Sequence, residues 1–149
     1  GTVTADVANV GGIAGEAYLG DPRYQATIEH CQNEGIAFAA NHYYAGIAAD
    51  IGVKADNTLT IAGCTNETDF TEGEGAGIVY ELVMQKGNML LSGNVNHGTI
   101  TSSGQNAAGI LCYTANMEMT GSWISKTVRI RQISVPKEMW RNRRLYRLL

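Results

Sequence analysis

The sequence predicts a mostly β protein. It reads as a parallel β-helix or β-solenoid of about three to four repeats of 31–34 residues, ending in a short C-terminal strand and helix. Three observations predict this. A small residue, Gly and Ile recur as Gly11-Gly12-Ile13, Ala45-Gly46-Ile47, Ala76-Gly77-Ile78 and Ala108-Gly109-Ile110, the central glycines lying 34, 31 and 32 residues apart. A second block keeps the same phase. It starts at Ile28, Ile61 and Leu91, with Cys31, Cys64 or Asn94 three residues on and Asn33, Asn66 or Asn96 five residues on. Finally, the segments around both blocks are short, rich in small and β-branched residues, and bounded by Gly, Asn or Asp. Units of ~30 residues cannot close a core alone and must stack on their neighbours.

The elements follow in order. The repeat opens at Val7 with no cap before it, which predicts a fragment or an oligomerising edge. Each small-Gly-Ile site begins a strand. Ile13, Ile47, Ile78 and Ile110 form an inward aliphatic column, and Gly12, Gly46, Gly77 and Gly109 sit where a Cβ would not fit. Each second block is a strand ending in a turn. Cys31, Cys64 and Asn94 stack there as one ladder and Asn33, Asn66 and Asn96 as another, while Gly35 and Gly98 complete Asn-X-Gly turns. Gly73 to Gly77 is a turn, and Tyr80 to Lys86 is the one part of the body able to form a helical turn or two. Thr127 to Val135 alternates as a strand with a slip near Gln132. After Pro136, Lys137 to Leu149 reads as a basic amphipathic helix.

Charge divides the chain at the same place. Residues 1–125 carry 13 acidic side chains against Arg23, Lys54 and Lys86, a formal charge of −10. Residues 126–149 carry eight basic ones against Glu138, a charge of +7. The first is read as an acidic, Gly-rich solenoid and the second as a basic strand-helix tail, including Arg141, Arg143, Arg144 and Arg147, that caps the coil end. A hydrophobic content of 44% with 17% charged residues excludes a disordered chain. No apolar run approaches the ~18 residues that span a bilayer, and nothing at the start reads as a signal peptide.

The aliphatic-x-x-Cys-x-Asn-x-Gly block followed by a small-Gly-Ile strand resembles the GLUG-type and related repeats of bacterial surface proteins, especially those of Bacteroidetes. Cys31, Asn33, Gly35, Gly46 and Ile47 all fall in place. Thr68 replaces the glycine in the next copy, and Asn94 replaces the cysteine in the one after. The resemblance covers about residues 8 to 115. It implies a β-solenoid from a secreted or surface-anchored, adhesin-like protein, located outside the cell or on its surface.

Catalytic and metal motifs are missing from the sequence. There is no His-X-X-X-His pair, Cys-X-X-Cys, Gly-X-Ser-X-Gly or P-loop, so no cofactor, metal or enzymatic activity is expected. His30, His42 and His97 read as surface or turn residues, Cys31 and Cys64 as stacked free thiols in preference to the disulfide their spacing would allow, and Cys112 as another small core residue. The candidate binding residues are Tyr43 and Tyr44, whose rings can stack on a sugar or anchor a protein, and Asp69, Glu72 and Glu74, which crowd one loop. The expected function is structural or adhesive binding without catalysis. Its partners are a glycan or a host or surface protein, together with further repeats or domains of a larger parent chain, and not nucleic acid or membrane. Two alternatives stand beside it: a carbohydrate-active β-helix enzyme using Asp50, Asp56 and Asp69, and an assembly protein gripping an anionic partner with its basic tail.

Overall fold

The small-Gly-Ile phase becomes visible in space as strand register. A computed structural model describes residues 2–3, 9–35, 37–38, 43–71, 73–101, 106–115, 122–126 and 129–134, with backbone alone for 2–3, 37–38, 115, 122–126 and 129–134. Thr2–Val3 forms β1. The first full repeat holds Asn9–Gly11 (β2), Ala14–Leu19 (β3), Ala26–Glu29 (β4) and Gln32–Asn33 (β5), and Ala37–Phe38 (β6) follows. The second holds Tyr43–Ala45 (β7), Ala48–Val53 (β8), Thr58–Ala62 (β9) and Thr65–Asn66 (β10). The third holds Glu74–Ala76 (β11), Val79–Met84 (β12), Asn88–Ser92 (β13) and Val95–Thr101 (β14). The last holds Ala107–Ala108 (β15), Leu111–Ala115 (β16), Ser122–Lys126 (β17) and Arg129–Ser134 (β18).

Each repeat contributes one strand to each of four sheets, ordered β15-β11-β7-β2, β16-β12-β8-β3, β17-β13-β9-β4 and β18-β14-β10-β5, while β1 pairs with β6. Every strand pairing among the described residues is parallel. Partners lie one repeat apart: Val10, Tyr44, Gly75 and Ala107 align in steps of 34, 31 and 32 residues. The fold is therefore mostly β with parallel sheets, and no helix occurs among the described residues.

Alternation of two decides which side chains are inward. In β9 and β13 the buried residues are Leu59, Ile61, Met89 and Leu91, while Thr60 and Leu90 between them face the other way and stay partly exposed. They join Ile47, Ile51, Val53, Ile78, Val79, Leu82, Met84 and Ile110 in the main core. Burying the side chain of a residue such as Ile or Leu contributes about 1.5–3 kcal/mol each. A separate cluster of Val10, Tyr44, Phe70 and Ile100 lies elsewhere, and Ala45, Ala49, Ala76 and Tyr80 form a third.

Between sheets, glycine and asparagine interlock. A Cβ on Gly46 would fall on the Gly77 carbonyl oxygen and on the Asn66 carboxamide. One on Gly77 would meet the Gly109 carbonyl and Asn96, and one on Gly12 would meet the Gly46 carbonyl and Asn33. The three asparagines are fully buried. Asn33 Nδ2 donates to Asn66 Oδ1, and Asn66 Nδ2 donates to Asn96 Oδ1, each at 2.8 Å. Corner glycines therefore make room for an internal amide ladder, which sits within β5, β10 and β14 instead of in turns.

Several expectations need correction. Ile47, Ile78 and Ile110 are buried, but Ile13 is 47% exposed, since it lies between β2 and β3, which are end strands of their sheets among the described residues. Gly98 lies inside β14 and forms no turn, since a Cβ there would strike the Thr68 carbonyl of the neighbouring repeat. Tyr80 to Lys86 forms no helical turn: Val79–Met84 is β12, held by pairing to β8 on one side and β16 on the other. Near Gln132, the β14–β18 register shifts between Asn96 and Thr99, placing the irregularity in β14. The expected helix at 137–149 lies outside the described residues.

Candidate functional site

Four residues after each corner glycine, the chain places an acid or a tyrosine. The positions are Glu16, Asp50, Glu81 and Tyr113. Parallel pairing of β3, β8, β12 and β16 turns that spacing into a row: Glu16 aligns with Asp50, Asp50 with Glu81, and Glu81 with Tyr113. Neighbours in such a row are about 4.8 Å apart along the sheet. Core side chains flank the row, because Ala48 and Val79 before it and Ile51 and Leu82 after it belong to the main core.

Asp50 is the centre of the row and is 8% exposed. Its Oδ2 accepts from Tyr18 Oη at 2.5 Å and from Asn9 Nδ2 at 3.2 Å, while its buried Oδ1 has no hydrogen-bond partner. Asn9 Nδ2 also lies 3.5 Å from Glu16 Oε1. The Tyr18 ring covers Gly52, where any Cβ would overlap it, and Lys54 Nζ sits 3.9 Å from the ring centroid. Burial, then the bond to Asp50, raises the Tyr18 hydroxyl pKa and keeps it a donor. Burial, followed by repulsion from Asp50, also raises the Glu81 carboxyl pKa.

A second row runs beside the first on β2, β7 and β11. Asn9 aligns with Tyr43 and Tyr43 with Glu74. The Tyr43 ring stacks on Tyr80 at 4.8 Å between centroids and 15° between planes. Tyr80 Oη donates to Glu74 Oε2 at 2.8 Å, and Asn106 Nδ2 reaches the same oxygen at 2.6 Å. Burial and this carboxylate push the Tyr80 hydroxyl up. Asn9, through its bonds to Asp50 and Glu16, joins the two rows into one acid-and-tyrosine face. Tyr18, Tyr43 and Tyr113 are exposed on it.

The sequence-predicted candidates fare unevenly. Tyr43 and Glu74 come together on this face. Tyr44 does not: it is 2% exposed, packs against Phe70 at 4.5 Å, and covers Gly75, whose missing side chain leaves room for the ring. Asp69 is exposed and accepts from the Thr99 backbone N–H at 2.5 Å, tying its loop to β14. Glu72 and the tail residues Arg141, Arg143, Arg144 and Arg147 lie outside the described residues, as does His42. Asp50 stands inside β8 and not at a loop edge, whereas Asp56 is exposed in the turn that follows. Glu16, Glu81 and Tyr113 escaped the sequence reading. Their signal was the constant step of four from the corner glycine.

The thiol ladder is made of free cysteines. Cys64 Sγ lies 3.6 Å from the Ile28 carbonyl oxygen of the repeat before it. In the next repeat Asn94 Nδ2 makes the matching bond to Ile61 at 2.8 Å, while its Oδ1 accepts from the Cys64 backbone N–H at 2.9 Å. Burial raises the Cys64 pKa and, with Glu74 second, brings Cys112 to about 12, so both are poor nucleophiles. His97 Nδ1 lies 3.7 Å from Glu67 Oε2, and His30 takes a left-handed φ of 53° over Gly63. No group of three or more His, Cys, Asp or Glu able to hold a metal ion occurs among the described residues. The sequence matches no protein-family model, and no curated protein or solved structure matches it.

Proposed function

We propose that the chain is a β-solenoid repeat module of a secreted or cell-surface bacterial protein, one that binds a glycan or surface protein and catalyses nothing. The solenoid reading rests on each repeat sending one strand to each of four parallel sheets, so that successive repeats are successive coils. The observation that carries the binding reading is the face on which Glu16, Asp50 and Glu81 align in register beside exposed Tyr18, Tyr43 and Tyr113. Aromatic rings stack on the apolar faces of sugars, and carboxylates accept their hydroxyls. Asp50 and Glu74 are already held by Tyr18, Asn9, Tyr80 and Asn106, which suits a rigid binding surface.

The test is a glycan array followed by calorimetry on the full chain. Tyr43→Ala and Tyr113→Ala should each weaken the captured glycan about tenfold or more, with the melting temperature nearly unchanged. Loss of stability without loss of binding would place the site elsewhere. A second reading, a carbohydrate-active enzyme, is favoured by one observation: burial, then repulsion from Asp50, makes Glu81 hold its proton more tightly, as a general acid requires. Release of new reducing ends from a bound polysaccharide, abolished by Glu81→Gln, would decide for that reading.

A further inference from the structure

Within the solenoid reading just proposed, the two ends of the internal amide ladder are not alike. Asn33 and Asn66 each donate an N–H toward the next coil, and Asn66 and Asn96 each offer an oxygen to the coil before. Asn66 Oδ1 accepts from Asn33, and Asn96 Oδ1 accepts from Asn66. Asn33 is fully buried, and its own Oδ1 accepts from nothing. At the other end the register places Ile130 opposite Asn96, and Asn96 Nδ2 donates to the Gly98 carbonyl at 2.7 Å, as Asn66 Nδ2 does to the Thr68 carbonyl at 2.9 Å.

We propose that the face edged by β2, β3, β4 and β5 is a docking surface for one further coil of this same repeat, carrying asparagine at the ladder position and donating its Nδ2–H to Asn33 Oδ1. Three other features point the same way. Cys64 and Asn94 each reach an aliphatic carbonyl of the coil before them, but Cys31 has only the Glu29 carbonyl of its own coil, at 3.5 Å. The inward residues Ala17, Leu19 and Ile28 are only partly buried, whereas their counterparts Ile51, Val53 and Ile61 are completely so. One strand of the missing level is also in place, because β1 already pairs with β6 in parallel. The surface thus continues the coil-to-coil interface used between the first and second repeats and again between the second and third.

The ladder also selects the occupant. A second copy of the chain docking through its last strands would set Ile130 against Asn33 and leave the acceptor unmet. A coil with asparagine at that position meets it.

The experiment uses the full chain preceded by a copy of its own residues 9–35, which brings one more ladder asparagine. That chain should melt at higher temperature than the original, and amides of β2–β5 should gain at least tenfold hydrogen-exchange protection. Replacing the added asparagine with leucine should remove most of both gains, and equal gains from the leucine version would overturn the proposal. In the original chain Asn33→Leu should lower the melting temperature by less than Asn66→Leu, since Asn33 makes the ladder bond on one side only; equal losses would also overturn it. Concentration-dependent self-association that buries β2–β5 would overturn it too, by assigning the face to a second copy. If Asn66→Leu itself has no effect, the solenoid reading fails and this proposal fails with it. If Asn66→Leu destabilises while the added asparagine is immaterial, the docking proposal alone is lost.

Discussion

At the residue scale, the tightest constraint is the contact between a corner glycine and the asparagine across from it. Gly77 leaves no room for a methyl group, because the obstacles are the Gly109 backbone carbonyl and the buried Asn96 side chain. Neither can swing away as a flexible side-chain tip would. Gly77→Ala should therefore cost about 3 kcal/mol in a denaturant titration, whereas Gly20→Ala, with nothing within 4 Å of its Cβ, should be neutral or slightly stabilising. Charge gives a second test at this scale. The Glu81 carboxyl has a raised pKa in the folded chain, so its ionisation opposes folding, and stability is lost as pH rises from the unfolded carboxylate pKa through the folded one. Glu81→Gln should raise the melting temperature at pH 7, with the advantage vanishing near pH 4, where the unfolded carboxylate titrates at about 4.3. A pH-independent difference would show that the carboxylate's ionisation is not the cause.

Elements show where a repeat can be read by eye and where it cannot. The ladder residues Asn33, Asn66 and Asn96 recur as the same amino acid, as do the corner glycines, so phase alone exposes them. The acid row recurs only as chemistry, passing from Glu16 to Asp50 to Glu81 to Tyr113, and letter matching overlooks it. The Tyr44 position recurs as neither. Its column runs Val10, Tyr44, Gly75, Ala107, and the volume missing at Gly75 is filled by the ring from the strand beside it. Burial of Tyr44 thus depends on a partner 31 residues away, which no local window contains. Tyr44→Ala should accordingly behave as a core truncation and cost about 3–5 kcal/mol, checked by chemical denaturation beside Tyr43→Ala, whose partly exposed ring should cost far less. β12 teaches the same lesson. Tyr80 to Lys86 lacks a breaker, so local preference leaves helix open, but strands on both sides require it to be extended.

For the whole molecule, the consequence of the parallel pairing among the described residues is kinetic. Partners in the main sheets lie 30 or more positions apart, as with Leu59 and Met89, so loops of that length must close before any pairing is rewarded. Refolding after a denaturant jump should take milliseconds to seconds, as for other chains dominated by non-local strands. A microsecond phase carrying the full amplitude would contradict this order of events. The charge balance also belongs to this scale, since −10 over residues 1–125 and +7 over 126–149 average to the modest total of −3.

The glycine–asparagine interlock has a consequence for how such a chain can change. Neither partner can be altered freely, because enlarging the glycine requires a smaller neighbour, and shrinking the asparagine leaves a void and severs two ladder bonds at Asn66 or one at Asn96. Viable substitutions at Gly46 and Asn66, or at Gly77 and Asn96, should come in compensating pairs. A random library selected for folding would show the two positions of one repeat varying together, while the intervening loops drift independently.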